Sequence, residues 1–280
     1  MSFYFGLAVL IICVIALIYL FLVSPRVANP PDTELIRCDY AHRGLWNAKI
    51  PENSLSAFEY AARMGYGIEL DIQLTKDKKI VVFHDETLKR MCGVDKKVCE
   101  LTLSELRTLR LGDTEEVIPT FYEALKLING RVPLLVEIKG DKPIPALCGG
   151  ASYLLDRYRG PFCIESFSPF ILRWFKRFRP TYARGQLCTS LADYLPSQKR
   201  AVGFILSQQM TNFLSRPDFI AINEKKRRNL GFLLCIHALH AKGLIWTVRE
   251  PKLYVACRQS GLRTIFEGFL PKINRGIPKQ

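Results

Sequence analysis

Paired metal-ligand motifs are missing from this sequence of 280 residues. Its nine cysteines are scattered singly, no C-x-x-C pattern occurs, and the four histidines fall at none of the paired spacings of structural zinc sites. A zinc site is therefore not expected. Isolated thiols in apolar runs behave as small hydrophobic side chains, so most of the cysteines are expected to be reduced. Only Cys92 and Cys99, which flank a short polar loop, are candidates for a disulfide.

Charged residues are absent from the first apolar run, Phe3 to Val23. Its 21 residues are about enough for a helix to cross ~30 Å of hydrocarbon. No Lys or Arg precedes the run and no A-x-A pattern follows it, which favours an uncleaved transmembrane anchor (residues 1–24) over a signal peptide or a buried helix. The prolines that follow predict a stiff linker over residues 25–34, and we expect one domain over residues 35–280.

Basic residues are likewise absent before the apolar run but present after it, at Arg26, Arg37, Arg43 and Lys49. The positive-inside rule then predicts a single-pass protein with its catalytic domain in the cytoplasm. Unpaired cysteines agree with that reducing compartment.

The formal net charge of +14 is concentrated in residues 173–184 and 224–229. In an anchored chain, such clusters are typical of contact with anionic lipid headgroups, at about 1 kcal/mol per residue close to the surface, although a solvated helix face is equally consistent. Aromatic residues between these charges recur at helical spacing and indicate core packing, so no nucleic-acid partner is expected. The sequence leaves the oligomeric state open.

Apolar runs alternate with amphipathic stretches along residues 35–280, including a helix with Ser54 as its N-cap and Gly65 as its C-terminal stop. This alternation favours a parallel sheet with helical crossovers. The apolar run at residues 79–85 follows the run at residues 66–73 so closely that the two fit an antiparallel hairpin. If this hairpin is counted as one position, eight βα positions remain. That number predicts an α/β fold, a (β/α)8 TIM barrel, with a doubly wound sheet as the alternative. The predicted strands are residues 35–41, 66–73, 79–85, 133–139, 161–167, 184–188, 218–223, 243–248 and 263–269.

Carboxylates interrupt two of these predicted strands. Glu69 and Asp71 are two residues apart, so both side chains leave one face of a strand, where they repel each other unless a cation or proton lies between them. Glu137 and Lys139 share a face of another strand in the same way. Oxygen ligands without thiolate or imidazole point to a hard divalent cation, Ca²⁺ or Mg²⁺.

Two histidines end apolar runs, His42 beside Arg43 and His84 in "VVFHDE". The C-terminal ends of barrel strands face one mouth, so these histidines are expected to lie near the carboxylates. That joint placement favours a catalytic role over core packing.

The sequence resembles the glycerophosphodiester phosphodiesterase family over about residues 36–270. The matching motifs are "AHRG", "PENS", "IELDIQLTKD", "VVFHDETLKR", "LTLSEL", "IPTFYEAL", "VEIK", "ESF" and "WTV". The resemblance implies a barrel with a short insertion after the second strand, a divalent ion, and cleavage of a glycerol-linked phosphodiester to an alcohol and a phosphomonoester. It also implies site residues: Glu69, Asp71 and Glu137 as metal ligands, His42 and His84 as the acid and base, Arg43 and Lys139 as phosphate contacts, and Glu52 and Asn53 near the metal.

The resemblance weakens toward the C-terminus, where Arg249 replaces an asparagine and Glu267 stands near the place of an aspartate. Trp246 and Phe167 are predicted as apolar walls of the substrate pocket, with core packing equally open. The expected function is metal-dependent hydrolysis of glycerophosphodiesters in lipid metabolism. The anchor and basic clusters favour, as an alternative, a lysophospholipase D acting on membrane lysophospholipids. A non-catalytic phospholipid-binding barrel is disfavoured, because the whole constellation of candidate residues is retained.

Overall fold

Eight parallel strands close into a barrel in the computed structural model, which describes residues 2–26, 38–140, 143–189 and 200–272. Closure is shown by Tyr40, which pairs with Gly67 on one side and with Ile265 on the other. A ninth strand, β3, is antiparallel to the end of β2. The strands are β1 Tyr40–Ala41, β2 Gly67–Leu74, β3 Ile80–Val82, β4 Leu134–Ile138, β5 Phe162–Ser166, β6 Arg184–Cys188, β7 Phe219–Asn223, β8 Lys242–Val248 and β9 Arg263–Phe266. The predicted TIM barrel and its hairpin are confirmed.

Helices surround the barrel, and one long helix precedes it. α2 begins after Ser54, whose side chain accepts from the Ala57 N–H, and ends at Gly65 in the left-handed conformation, as predicted. The helices are α1 Ser2–Val23, α2 Leu55–Met64, α3 Lys89–Cys92, α4 Leu103–Leu106, α5 Phe121–Ile128, α6 Ile144–Leu155, α7 Pro169–Phe178, α8 Arg200–Ser207, α9 Asn212–Ser215, α10 Leu230–Leu233, which continues as a π-helix over Leu234–Ala238, and α11 Pro251–Gln259.

The predicted insertion after the second strand contains β3, α3 and α4 and packs around its own apolar cluster. A hydrogen bond from the Phe83 N–H to the Asp71 carbonyl attaches it to β2, and the Val82 N–H donates to the Pro119 carbonyl just before α5. The insertion therefore lies over the C-terminal end of β2. Its buried residues are Val81, Phe83, Leu88, Val98, Leu101, Leu106, Leu111 and Ile118.

The two faces of β2 have different environments. Ile68, Leu70 and Ile72 pack in the apolar layer shared with the outer helices, so the alternating Glu69 and Asp71 point into the barrel. Below these carboxylates the interior is filled by a second apolar cluster. Its buried members are Tyr40, Leu135, Cys163, Ala183, Leu187, Phe219, Ala221, Leu244 and Ile265.

Gly185 in β6 shows how tightly that interior cluster is packed. A Cβ atom at this position would overlap the ring of Phe219 on the neighbouring strand β7. Glycine therefore lets an aromatic ring fill the barrel axis. The interior is a packed core, and the polar site lies above it.

Some expectations concern residues outside the described ranges. The predicted linker is described only at Pro25 and Arg26, where the Arg26 N–H donates to the Pro217 carbonyl, and residues 27–34 lie outside. The strand predicted at 35–41 is described only from Cys38. The candidate disulfide was wrong, because Cys92 and Cys99 are free thiols like the other seven cysteines.

Candidate active site

Three carboxylates meet at the C-terminal end of the barrel. Glu69 and Asp71 come from β2, Glu137 comes from β4, and the strand register sets Asp71 beside Glu137. All three side chains are buried, and one oxygen of each lies within 4.8 Å of the others. The alternation within β2 and the pairing of two parallel strands therefore bring together the group predicted from the sequence.

The electrostatics of this group favour a positive charge. Burial, followed by the charges of Asp71 and Glu137, raises the pKa of Glu69 well above its ordinary value. Burial also raises the pKa of Glu137 to about 7. Carboxylates that lie this close together and are buried away from water are stabilised as anions only beside a cation. Because all the donor atoms are oxygens, a hard divalent cation suits this group. The residues fit such an ion.

Lys139 places its ammonium between two of the carboxylates. Its Nζ lies 3.0 Å from Asp71 Oδ1 and 2.7 Å from Glu137 Oε1. Burial acts to raise the pKa of Asp71, but the positive charges of Lys139, His84 and Arg43 outweigh it, so the pKa of Asp71 lies below its ordinary value. The two carboxylates in turn raise the pKa of Lys139 above its ordinary value despite burial. Lys139 therefore remains charged beside the cation site.

Hydrogen bonds join the loop after β1 to the Pro-Glu-Asn turn at residues 51–53, beside the carboxylates. The Arg43 N–H donates to Glu69 Oε2 at 2.8 Å, and its Nη1 donates to Glu52 Oε1 at 2.6 Å. Asn53 donates through Nδ2 to Asp71 Oδ2 at 2.7 Å and through its N–H to the Arg43 carbonyl. Both Arg43 and Asn53 have positive φ, at 57° and 54°. Glu52 and Asn53 thus position Arg43 and Asp71 from behind the site.

His42 is held by a carboxylate that directly follows the last strand of the barrel, β9. Its Nδ1 lies 2.5 Å from Glu267 Oε2, and the other oxygen of Glu267 accepts from Arg249 Nε at 2.9 Å. Burial lowers the pKa of His42 from its ordinary value, although the Glu267 hydrogen bond opposes the shift. The structure records no partner for Nε2 among the described residues, so this nitrogen can exchange a proton with a bound molecule.

His84, which follows β3, has the same arrangement. Its Nδ1 lies 2.6 Å from Asp85 Oδ1, and Arg90 Nε donates to the second oxygen of Asp85 at 2.6 Å. Arg90 also donates to Glu52, which in turn accepts from Arg43. Burial lowers the pKa of His84. One network of side chains therefore orients both the imidazole of His84 and the guanidinium of Arg43.

Two adjoining cavities open over the carboxylates. The first, about 610 Å³, is lined by His42, Arg43, Glu69 and the edge-to-face pair Phe167 and Trp246, whose ring centroids are 5.6 Å apart. The second, about 670 Å³, contains Lys139 and shares three lining residues with the first, namely His84, Glu137 and Phe167. Both predicted apolar walls thus lie at the cavity, and the two remaining predicted residues, Glu52 and Asn53, support it from outside.

Glu165 was missed in the sequence. It lies in β5 beside Glu137 in the register, is buried, and its Oε2 has no hydrogen-bond partner in the described part of the chain. Burial and the neighbouring carboxylates raise its pKa well above the ordinary value. The rule that selected Glu137, a carboxylate inside an apolar strand, would also have found it in "PFCIESF". Asp85 and Arg90 gave no comparable signal, because their roles depend on loop contacts.

Comparison with known proteins gives a consistent result. The profile of the Glycerophosphoryl diester phosphodiesterase family matches residues 42–269. YhdW of Bacillus subtilis, provisionally named a glycerophosphodiester phosphodiesterase, is 30% identical over 239 residues, which cover 79% of this chain and 90% of YhdW. Human lysophospholipase D GDPD1 is 37% identical over 101 residues, covering 35% of this chain and 31% of that protein.

Among solved structures, an Oleispira antarctica phosphodiesterase in complex with its product sn-glycerol-3-phosphate has a similar fold. The TM-score is 0.69 at 24% identity, and the match covers 84% of this chain and 94% of that one. The family profile matches residues 42–269, and the match to YhdW covers 90% of that relative. These two findings together assign the chain to a family. The chain belongs to the glycerophosphoryl diester phosphodiesterase family and is a phosphoric diester hydrolase, not a lipid-binding barrel without activity.

Proposed function

We propose that this enzyme uses a divalent cation, Ca²⁺ or Mg²⁺, to hydrolyse glycerophosphodiesters to an alcohol and glycerol 3-phosphate in lipid metabolism. The main support is one observation, the three carboxylates within 4.8 Å of one another below a cavity that also holds two histidines. The product bound to the Oleispira antarctica relative agrees with a glycerol 3-phosphate product here.

In this proposal Glu69, Asp71 and Glu137 hold the cation, which when bound neutralises charge on the phosphate oxygens. Arg43 and Lys139 add positive charge at the same place. A phosphodiester gains negative charge on its oxygens in the transition state, and preorganised cations in a buried site stabilise that charge strongly. Arg43 is already fixed by Glu52, so it needs no reorganisation when the substrate arrives.

The two histidines transfer protons. One takes a proton from the attacking hydroxyl, which belongs either to water or to the glycerol of the substrate, and the other gives a proton to the leaving oxygen. Attack by water gives glycerol 3-phosphate directly, whereas attack by the glycerol hydroxyl gives a cyclic phosphate that water must then open. His42 and His84 are each oriented through Nδ1 by a carboxylate, which leaves Nε2 for the substrate. Either histidine can fill either role in this arrangement.

A substrate panel tests the proposal. Glycerophosphocholine, glycerophosphoglycerol and lysophosphatidylcholine are incubated with the enzyme and Ca²⁺ or Mg²⁺, and released glycerol 3-phosphate and free alcohols are measured. We expect cleavage of the two soluble diesters with glycerol 3-phosphate as product. No cleavage of either one by folded enzyme loaded with either ion would refute the proposal.

A lysophospholipase D activity is the second candidate. The match to human lysophospholipase D GDPD1 and the apolar walls Phe167 and Trp246 favour it. Release of choline and lysophosphatidic acid from lysophosphatidylcholine, at a higher kcat/KM than for glycerophosphocholine, would make this the principal activity.

For its location, we propose that residues 1–24 anchor the protein in a membrane with the barrel on the cytoplasmic side. The helix Phe3–Val23 is long and apolar enough to span a bilayer. The basic residues after it and the free cysteines support this orientation.

A further inference from the structure

The helix α1 is joined to the end of the barrel opposite the candidate site. The Val23 carbonyl accepts from Asn212 Nδ2 at 2.8 Å, and the Ser24 carbonyl accepts from Arg216 Nη1 at 2.9 Å. Asn212 and Arg216 lie just before β7, so they sit at its N-terminal end. The candidate catalytic residues sit at or beyond the C-terminal ends of the strands, at the other end of a parallel barrel.

Arg26 strengthens the same joint before β7 and adds a contact with one further loop, before β6. Its N–H donates to the Pro217 carbonyl at 2.9 Å, and its Nε lies 3.0 Å from Asp218 Oδ1, just before β7. Its Nη2 donates to the Pro180 carbonyl at 3.0 Å, in the loop before β6. All of these contacts lie at the N-terminal ends of strands, an end of the molecule that we call the basal end.

Among the described residues, the last turn of α1 alone contacts the barrel. Residues 3–18 are exposed, whereas Tyr19 and Val23 pack against a barrel cluster and Val23 is fully buried. The 21 residues Phe3–Val23 span about 31 Å, which matches the hydrocarbon core. Because the apolar run ends where the barrel begins, no spacer separates the two. In a bilayer the basal end therefore lies at the headgroups.

The basal end carries exposed positive charge. Among the described residues, the acidic side chains of this end are paired with arginines: Glu59 with Arg131, Asp156 with Arg179, Asp218 with Arg26 and Asp39 with Arg258. Other cations in the last helical turns and in the loops before strands have no acidic partner within ion-pair distance in the described ranges. These exposed residues are Arg63, Lys126, Arg157, Arg159 and Arg177.

A helix C-terminus attracts one nearby cation, which accounts for Arg63, Lys126 and Arg177 individually. It also accounts for Arg157, whose Nη1 donates to the Tyr153 carbonyl in the last turn of α6 at 2.8 Å. It does not account for Arg159, which lies further along in the loop before β5. The basal end thus combines the exit of an apolar helix with an excess of unpaired cations, the pattern that anionic headgroups attract.

We propose that the basal end rests on the anionic headgroups of the membrane that holds α1, and that the catalytic mouth faces away into the water. β7 alone has five residues, or roughly 16 Å, between the joint and the mouth. This inference rests on the proposed diesterase function. Because the mouth faces away from the bilayer, the substrate is a diester dissolved in water and not a lipid held in the same bilayer.

Fluorescence quenching in nanodiscs tests the orientation on the full chain. One label is placed on Cys99, an exposed native cysteine that lines the second cavity. In a Cys99→Ser background, the other is placed at Arg159→Cys. With nitroxide-headgroup lipid in a disc containing phosphatidylglycerol, we expect severalfold stronger quenching at position 159 than at position 99. Equal or stronger quenching at Cys99 would overturn the proposal.

Charge reversal tests the role of the cations. The pair Arg157→Glu and Arg159→Glu is compared with the control pair Lys96→Glu and Lys252→Glu, exposed residues of the mouth side, with the basal label at Lys126→Cys. We expect the basal pair alone to lower quenching in anionic discs toward the value in phosphatidylcholine discs. Equal quenching of the unreversed chain in both discs would contradict the charge argument.

Hydrolysis of glycerophosphocholine is followed in the same discs. Both reversed pairs should keep it, because none of these residues lines the cavity over the carboxylates. Loss of hydrolysis in the unreversed chain would count against the proposed function and leave the orientation result standing, so the two failures are distinguishable.

Discussion

At the scale of single residues, each candidate histidine is paired with a carboxylate that is itself held by an arginine. His42 pairs with Glu267 and His84 with Asp85. A carboxylate on Nδ1 fixes the ring orientation and the tautomer, which is what proton transfer through Nε2 requires. The three carboxylates that we propose as cation ligands have no hydrogen bond to either ring among the described residues, so loss of a ring and loss of the proposed cation site are separable.

Replacement of either histidine by alanine should show this separation. We expect His42→Ala and His84→Ala to lower turnover of glycerophosphocholine about 10²-fold or more, because proton transfer is lost, while calorimetric titration still detects cation binding. Glu69→Ala should lose both. The control is His237→Ala, at an exposed position outside the site. Near-normal turnover of the His84 variant would contradict the assignment.

Glu267 should tune the pKa of His42. Burial lowers that pKa, and the carboxylate of Glu267 partly opposes the effect. Glu267→Gln removes the opposing charge, so the pKa of His42 should fall further and the limb of the kcat/KM profile that reports His42 should move to lower pH. Glu267→Asp should preserve part of the original profile. A pH profile that does not move in Glu267→Gln would show that this carboxylate has no influence on His42.

Residues whose signal is local could be predicted from the sequence. Glu69 and Asp71 alternate with isoleucine and leucine in one strand, and His42 and His84 end apolar runs. Arg90 could not be predicted, because it acts by joining Asp85 to Glu52, which lies 38 positions away in the chain. The burial of the Glu165 Oε2 atom likewise depends on packing between neighbouring strands.

At the scale of elements, the short connection after β2 predicted the antiparallel β3, and Ser54 predicted the start of α2. The extent of β1 was not predictable to the residue, since from Cys38 onward, where the structure describes this segment, Tyr40 and Ala41 alone pair with both neighbours. The joint of α1 was also not visible in the sequence. A proline-rich segment predicts a linker, whereas the structure packs Val23 and Pro25 against the barrel.

The joint makes a prediction about truncation. Removal of residues 1–24 deletes the buried Val23 and leaves the amide of Asn212 without its carbonyl partner, a loss of about 2 to 4 kcal/mol. Removal of residues 1–18 leaves both intact. We expect the shorter deletion to unfold at a Tm close to that of the full chain in detergent and the longer one several degrees lower. Equal Tm values for the two would show that the last turn of α1 contributes nothing to the barrel.

At the scale of the whole molecule, the end of the barrel that contacts the apolar helix lies opposite the end that carries the candidate site. The apolar helix and the unpaired cations lie at the basal end, and the carboxylates, histidines and cavities lie at the mouth. The basic cluster at residues 224–229 follows β7 and therefore lies on the mouth side, away from the lipid contact predicted for it. Sequence position alone could not assign it to one end.

The orientation across the membrane should follow the positive-inside rule. Protease added to intact cells should spare the barrel, and the same protease should digest it after the membrane is permeabilised. A protein whose barrel is cut in intact cells would have the opposite orientation.

The cation requirement of diester cleavage tests the central claim most directly. Release of glycerol 3-phosphate from glycerophosphocholine is measured before chelation, after exhaustive chelation, and after addition of Ca²⁺, Mg²⁺ or Mn²⁺. Because all three candidate ligands are carboxylates, we predict that activity disappears on chelation and returns with at least one of these hard cations. Glu137→Gln should resist that recovery at the same ion concentrations. Full activity in the chelated enzyme would contradict the account.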